Sequence, residues 1–202
     1  MAMKRARCLL VAVAIAVAAL LAATAPGAGA RASGHTAESV YAAFSYHGVV
    51  VPHVKVASGY CFTSSDVTPR DDAWRCLVGN NLYDPCFSSQ FAFGIVVCPV
   101  PWNDTGTEIR LTKPLPKAAT HTAPSLSLQP WALETATGAY CQLASGASNV
   151  VHGRRLNYFC GRNAKDGLWG FPDRRSEPWT ILVAPLGAHK LSKRVALVRA
   201  WM

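Results

Sequence analysis

Polar and apolar residues alternate, or apolar residues cluster in short runs, along most of the chain beyond residue 45. Within residues 107–112, polar and apolar residues alternate from Glu108 to Thr112, as a strand with one buried face requires. Four more runs are rich in β-branched and aromatic residues and are separated by glycine and proline: 49–56, 91–98, 179–184 and 194–201. The pattern predicts a mainly β protein, a small β-rich domain.

One segment has the spacing of a helix instead. Within residues 37–45, Val40, Tyr41 and Phe44 are spaced to share one helical face. We therefore predict one short N-terminal helix over these residues. Residues 31–36, which precede it, are predicted to be a flexible lead-in.

The first thirty residues have the three parts of an export signal. Lys4, Arg5 and Arg7 precede an apolar run over residues 9–23, and residues 28–30 are small. The run is shorter than the roughly twenty residues that a membrane-spanning helix needs. The sequence therefore predicts a signal peptide over residues 1–30, a mature protein that is secreted or attached to the cell wall, and no transmembrane segment after cleavage. An uncleaved anchor is the alternative.

Six cysteines follow the predicted signal, an even number in a chain expected to reach an oxidising compartment. Short loops close most easily, which favours pairing in sequence order: Cys61 with Cys76, Cys86 with Cys98, and Cys141 with Cys160. No cysteine pair has the close spacing of a zinc site. We expect structural disulfides and neither a metal nor a cofactor.

Proline divides the chain into two halves. Residues 118–130 form a Pro-rich connection between a β-rich first half, residues 37–117, and a β-rich second half, residues 131–202. The residues leading to Cys61 and Cys141 are similar, and Cys76 and Cys160 each follow an aromatic-containing string. This similarity supports the hypothesis that the two halves are related by duplication.

Positive charge is concentrated near the C-terminus. Residues 151–202 contain ten Lys or Arg against three acidic residues, which favours an anionic polymer or surface as partner. The candidate binding residues are Arg154, Arg155, Trp169, Arg174, Arg175, Lys193 and Arg194. Trp169, which lies between glycines, is either an exposed ring beside these arginines or, as the pattern favours, a core tryptophan at a turn. A solvated arginine-rich face is the alternative. No nucleic-acid-binding motif is present, and we expect a monomer.

Catalytic motifs are absent from the sequence. It contains neither the Gly-x-Ser-x-Gly elbow of serine hydrolases nor the His-Glu-x-x-His zinc motif. A pair of carboxylates acting on a glycosidic bond stays open, because distance along a β chain says little about distance in space. The candidates for that pair are Asp66, Asp72, Asp84, Asp104 and Glu108.

Several short strings resemble those of a group of uncharacterised secreted actinobacterial proteins. They are Asp-Ala-Trp-Arg-Cys at 72–76, Asp-Pro-Cys-Phe at 84–87, Pro-Leu-Pro at 114–116, Pro-Trp at 130–131 and Gly-Phe-Pro-Asp-Arg at 170–174. The resemblance implies export, three disulfides and a shared fold, and it carries no catalytic residues. Read as chemistry, the strings around residues 71–87 favour scaffolding, with a local Asp72–Arg75 ion pair. The alternative is a recognition loop in which Trp74, Arg75 and Asp84 line a cleft for a sugar or peptide.

These observations favour a secreted, non-catalytic binding or structural protein of the cell envelope that engages an anionic wall polymer or a glycan. Two alternatives stay open. One is an extracellular hydrolase that uses an aspartate pair, and the other is a module that binds a protein partner, as an inhibitor or a sensor does.

Overall fold

The computed structural model describes residues 34–117, 128–146, 148, 150–151, 153–161, 166–185 and 193–202. These residues form thirteen strands. The strands are β1 (Ala37–Ser39), β2 (His53–Ser64), β3 (Ala73–Val78), β4 (Asn81–Ser89), β5 (Ala92–Val100), β6 (Thr105–Leu111), β7 (Ala132–Thr135), β8 (Tyr140–Leu143), β9 (Val150–Val151), β10 (Arg154–Cys160), β11 (Asp166–Asp173), β12 (Thr180–Pro185) and β13 (Arg194–Trp201). The predicted mainly β class is confirmed.

Strands β2 to β6 close into a five-stranded barrel, here called the first barrel. Consecutive strands are antiparallel, and since five is an odd number, the closing pair β2–β6 is parallel. The long strand β2 changes partner at Gly59, which pairs with Leu111 of β6, whereas Tyr60 pairs with Leu77 of β3. A Cβ atom at Gly59 would lie 2.2 Å from the Leu77 carbonyl oxygen, so this crossing requires glycine.

The second barrel consists of β7, β8, β10, β11, β12 and β13, and antiparallel pairing of β13 with β7 closes it. The short strand β9 forms a hairpin with β10. Strand β1 pairs in parallel with the last residues of β13, beyond the point where β12 stops pairing. A strand from the start of the described chain therefore completes the sheet of the second half.

The helix predicted over residues 37–45 is wrong, and the described residues contain no helix. Tyr41 and Ala43 are buried while Val40 and Ala42 are exposed, which is the two-residue period of extended chain. The open edge of β13 offers backbone partners to β1, and this tertiary pairing overrides the local spacing. Within the described part of the chain, no helix meets the length and apolarity needed to cross a membrane.

The predicted lead-in ends earlier than residue 36. Thr36 is completely buried, its hydroxyl donates to the Leu197 carbonyl over 2.9 Å, and the Trp179 amide donates to the same hydroxyl over 2.9 Å. Thr36 is thus anchored to the second barrel rather than flexible. The predicted signal peptide, residues 1–30, lies outside the described residues, as do 31–33 of the lead-in and most of the Pro-rich connection.

Three disulfides join neighbouring strands, and the predicted pairing in sequence order is confirmed: Cys61–Cys76, Cys86–Cys98 and Cys141–Cys160. Cys61 and Cys76 are directly opposite in the β2–β3 pair, and Cys141 and Cys160 are directly opposite in the β8–β10 pair. Both halves therefore place a disulfide between antiparallel neighbours of a small barrel. A duplication that relates the halves stays a hypothesis.

An aromatic cluster joins the two barrels. The rings of Phe87 from β4 and Trp131, which precedes β7, have centroids 6.0 Å apart, and Tyr41 lies 6.4 Å from Phe87 and 6.2 Å from Trp131. Phe87 and Trp131 have no exposed surface. Burial of such large rings is among the strongest contributions to packing, so the barrels share one continuous core.

Candidate functional site

An open groove of about 710 Å³ lies at one end of the first barrel. Three parts of the chain form its wall: the loop before β3, the β4–β5 hairpin, and the segment that follows β6. The lining residues are Asp71, Asp72, Ser88, Ser89, Gln90, Ala92, Phe93, Gly94, Ile95, Leu111, Thr112, Lys113, Pro114 and Leu115. The volume falls within the range of small-molecule sites, roughly 300–1,000 Å³.

The polar groups of the groove are attached to the barrel core. Ser88 lies on the wall, and its hydroxyl accepts a hydrogen bond from the indole N–H of buried Trp74 over 2.9 Å. The Ser88 amide donates to the Asp72 carbonyl over 2.8 Å, which ties the hairpin to the loop. Leu111 and Leu115 pack against the same core from the opposite wall. The shape of the groove is therefore set before any ligand arrives.

Arg70 fixes the carboxylate of Asp72. The guanidinium donates two hydrogen bonds to this carboxylate, at 2.8 and 2.6 Å, and a third to the Tyr41 carbonyl at 2.6 Å. It also lies 4.2 Å from the centroid of the Phe87 ring. A bidentate pair of this kind restricts the carboxylate to one orientation, and Arg70 connects the groove wall to the core between the barrels.

The remaining charges of the groove are one further carboxylate, Asp71, and one ammonium group, Lys113. The Lys113 Nζ lies 4.2 Å above the Tyr60 ring, within the range of a cation–π contact. Since the Arg70 guanidinium balances Asp72, the two carboxylates of the groove are matched by two positive groups, Arg70 and Lys113, and the local net charge is close to zero. A neutral ligand with hydroxyl groups would find both acceptors and donors here.

Phe93 contributes an exposed ring to the groove. It lies at the start of β5 and is 90% exposed, the highest exposure among the large hydrophobic side chains described. Leaving a phenyl ring in water costs the free energy that burial would provide, roughly 2 kcal/mol. The ring lies in a groove whose lining is mainly apolar, with Ile95, Leu111 and Leu115 beside it, and it adds to the apolar surface that a ligand would bury there.

A second polar cluster lies on the outer surface of the first barrel, around Arg75 of β3. Its guanidinium donates to Asp66 over 2.5 Å, and its Nε lies 3.8 Å from Oδ2 of Asp84. Asp84 accepts a hydrogen bond from the Ser65 hydroxyl over 2.5 Å and one from the Asp66 amide over 3.2 Å. A Cβ atom at Gly146, in the loop after β8, would lie 3.0 Å from the Arg75 guanidinium.

Burial raises the pKa of Asp84 to about 7, although the hydrogen bonds from Ser65 and Asp66 act in the opposite direction. The side chain of Asp84 has no exposed surface, so substrate cannot reach it. A perturbed carboxylate often marks a functional site. Here the geometry favours a structural role, because the perturbed group is enclosed by protein.

The structure brings only part of the proposed carboxylate set together. Asp66 and Asp84 meet around Arg75, and Asp72 lies apart from them in the groove. Asp104 occupies the turn before β6, and Glu108 lies 3.7 Å from Arg110 on that strand. No two of these five carboxylates line the groove described above.

The expected Asp72–Arg75 ion pair is wrong: Asp72 pairs with Arg70, and Arg75 pairs with Asp66. Asp72 lies in the turn before β3, whereas Arg75 lies on β3 itself. The alternative of a recognition loop does not fit the structure either. Trp74, Arg75 and Asp84 belong to strands β3 and β4, and Trp74 is only 6% exposed.

Four of the proposed basic binding residues donate hydrogen bonds to acceptors within the same chain. Arg175 forms a bidentate pair with Asp173 at 2.8 and 2.6 Å, and Arg194 donates to the Thr180 hydroxyl over 2.9 Å. The other two donate to loops: Arg155 to Ser148 and the Gly146 carbonyl, and Arg174 to the Leu128 carbonyl. These contacts use the guanidinium groups mainly to fix strands and loops of the second barrel.

The remaining members of that set are Arg154, Lys193 and Trp169. Arg154 and Lys193 are exposed. Trp169 is only 2% exposed and packs with Leu156, so its core position is confirmed and it does not belong to an exposed binding surface. It lies inside β11, opposite Leu156 and Leu182, and not at a turn.

The groove residues on the β4–β5 hairpin were missed by sequence reasoning. The string Ser89-Gln90-Phe91-Ala92-Phe93 overlaps the run 91–98, whose aromatic and β-branched residues predict a strand. The signal that could have found it is Gly94, whose φ of 74° ends regular alternation directly after Phe93.

Comparisons with known proteins found no relative of this chain. No family model, no curated protein and no solved structure matches the chain. Among the described residues, no cluster of three or more His, Cys, Asp or Glu side chains could hold a metal ion. The resemblance to secreted actinobacterial proteins therefore stays a prediction.

Proposed function

We propose that this protein is exported and binds a glycan of the cell envelope, without catalysis, in the groove of the first barrel. Export is supported by the N-terminal sequence and by three disulfides, which persist in oxidising compartments. The observation that supports the binding function is the exposed Phe93 ring in a mainly apolar groove that also presents a few hydroxyl, amide and carboxylate groups.

A sugar ring matches this combination. Its faces carry C–H groups that can lie against a phenyl ring, and its edge carries hydroxyl groups that need donors and acceptors. Gln90, Ser89 and Asp71 provide such groups along the groove lining. A neutral glycan suits this groove, because its carboxylates are balanced by Arg70 and Lys113 and leave no excess positive charge for an anionic polymer.

The proposal is tested by retention on insoluble peptidoglycan, chitin and cellulose, each measured at low and high salt. Phe93→Ala is expected to weaken retention about tenfold, which corresponds to roughly 1.4 kcal/mol. Phe62→Ala is the matched control, since Phe62 is an exposed phenylalanine on β2 that lies beside Arg75 and not in the groove. Equal retention of the wild type and Phe93→Ala would contradict the proposal.

Salt separates this mode of binding from the charge-based one. Binding of a neutral glycan in the groove is expected to change little with ionic strength. A steep loss of retention with salt would assign binding to exposed basic residues such as Arg154 and Lys193 instead. Release of soluble sugar from any of the three polymers would favour the hydrolase alternative.

A further inference from the structure

Two hairpins beside the groove present aromatic side chains to solvent. The turn at residues 45–49, between bridge partners Phe44 and Val50, carries Tyr46, which is 84% exposed. The β4–β5 hairpin carries Phe91, 54% exposed, whose ring centroid lies 6.1 Å from that of Tyr46. Tyr46 and Phe91 are here called the ring pair.

The ring pair is held in place by backbone contacts rather than by its own packing. The Ser45 amide donates to the Val49 carbonyl over 2.8 Å, and the Gly48 amide donates to the Ser45 carbonyl over 3.0 Å. Gly48 has a φ of 76°, and a Cβ atom there would lie 2.7 Å from Cβ of Phe91. The two hairpins therefore touch where only glycine fits, and the rings need no rearrangement to bind a ligand.

The ring pair lies next to the groove. Phe91 is in the turn of the β4–β5 hairpin, between Gln90 and Ala92, both of which line the groove. Phe93, which also lines the groove, is two residues further along the same hairpin. The groove and the ring pair are therefore presented by neighbouring residues of one hairpin.

The two hairpins are uncharged apart from His47. Residues 44–50 and 89–93 contain no Lys, Arg, Asp or Glu. Attachment to an anionic membrane depends on basic residues around the exposed apolar ones, and these hairpins lack them. An uncharged aromatic surface that extends a hydroxyl-binding groove fits a neutral sugar chain better.

We infer that the ligand is a linear, neutral polysaccharide that fills the groove and continues across the ring pair, an inference that rests on the proposed function. It predicts that affinity depends on chain length. A short oligosaccharide fits in the groove alone, whereas a longer one also stacks on Tyr46 and Phe91.

Calorimetric titration with the dimer and hexamer of N-acetylglucosamine, and of β-linked glucose, tests the inference. The wild type is expected to bind the hexamer of its preferred sugar about tenfold more tightly than the dimer. In Tyr46→Ala/Phe91→Ala the dimer affinity is expected to stay unchanged and the hexamer advantage to disappear. Phe62→Ala/Leu82→Ala is the control, since both side chains are exposed outside the groove lining and the ring pair.

The possible outcomes separate the two claims. A hexamer advantage that persists in Tyr46→Ala/Phe91→Ala overturns the inference and leaves groove binding intact. If neither sugar binds at either length, the proposed function fails with it. Retention on phosphatidylcholine–phosphatidylglycerol vesicles, or dimerisation in solution, that this double variant abolishes would assign the ring pair to a membrane or to a second copy and overturn the inference.

Discussion

The two barrels of this protein use similar strands for different purposes. Among the described residues, the core cluster of the first barrel contains seven buried residues, and four of them are disulfide cysteines: Cys61, Trp74, Cys76, Cys86, Val96, Cys98 and Ile109. Large rings and branched side chains fill the second barrel, including Tyr158, Leu168 and Ile181. The cluster inside the first barrel is therefore rich in disulfide sulfur, whereas the cluster of the second barrel, which Phe87 and Val97 of the first barrel also join, is rich in large side chains.

The groove described above belongs to the first barrel, where the loop before β3, the β4–β5 hairpin and the segment after β6 form its wall. In the second barrel, Arg175 and Arg194 donate to side chains of neighbouring segments. The proposed binding site therefore lies in the barrel that contains two of the three disulfides.

The largest expected effect comes from removing disulfides. Cys86→Ala/Cys98→Ala is expected to cost at least about 3 kcal/mol of unfolding free energy, the typical contribution of closing a loop of this length. Cys141→Ala/Cys160→Ala is the matched variant in the second barrel. Its longer loop, with a sequence separation of 19 against 12, gives a slightly larger entropic contribution, so its loss is expected to be at least as large. Denaturant unfolding measures both, and a clearly smaller loss in the second barrel would show that packing there replaces the crosslink.

An intermediate effect is expected from the buried carboxylate of the first barrel. The pKa of Asp84 is about 7 in the folded protein and near 3.8 when exposed, so the folded state retains a proton that the unfolded state loses. Its contribution to stability is complete below about pH 4 and is lost as the pH rises toward 7, by roughly 2 kcal/mol between pH 5 and 7.

Asp84→Asn should abolish that loss, since an amide does not ionise. The unfolding free energy of the variant, relative to the wild type, is therefore expected to rise from pH 5 to pH 7. Asp104→Asn is the control, because Asp104 lies in a turn with a φ of 51° that asparagine tolerates. Parallel pH profiles for the wild type and Asp84→Asn would show that Asp84 is ionised throughout.

The smallest effect is expected on the surface of the second barrel. Hydrogen bonds from Arg175 hold the pKa of Asp173 well below its usual range, so any stabilisation is present at neutral pH and is lost as the pH falls through the lowered value. Arg175→Ala should shift the melting temperature less than either variant above, and high salt should remove the difference, because exposed ion pairs are screened. A large, salt-independent shift of the melting temperature would show that these arginines stabilise the fold more than the disulfides do.

The strand content and the disulfides of this protein could be predicted from its sequence. Alternation and β-branched runs reflect local backbone preferences, and loops of 12 to 19 residues between cysteines close more easily than longer ones. The exposed Phe93 and the Asp66–Arg75–Asp84 cluster could not be predicted in this way. Each depends on which face of a strand meets another strand distant in sequence.

Local sequence thus determined that the chain would form cross-linked strands, because those properties involve neighbouring residues. Only the tertiary structure decided that residues 37–39 join β13 and that the first barrel keeps an open end. It also decided that four of the proposed basic binding residues donate hydrogen bonds within their own chain. These features arise from contacts between segments far apart in sequence, where burial and backbone pairing outweigh local preference.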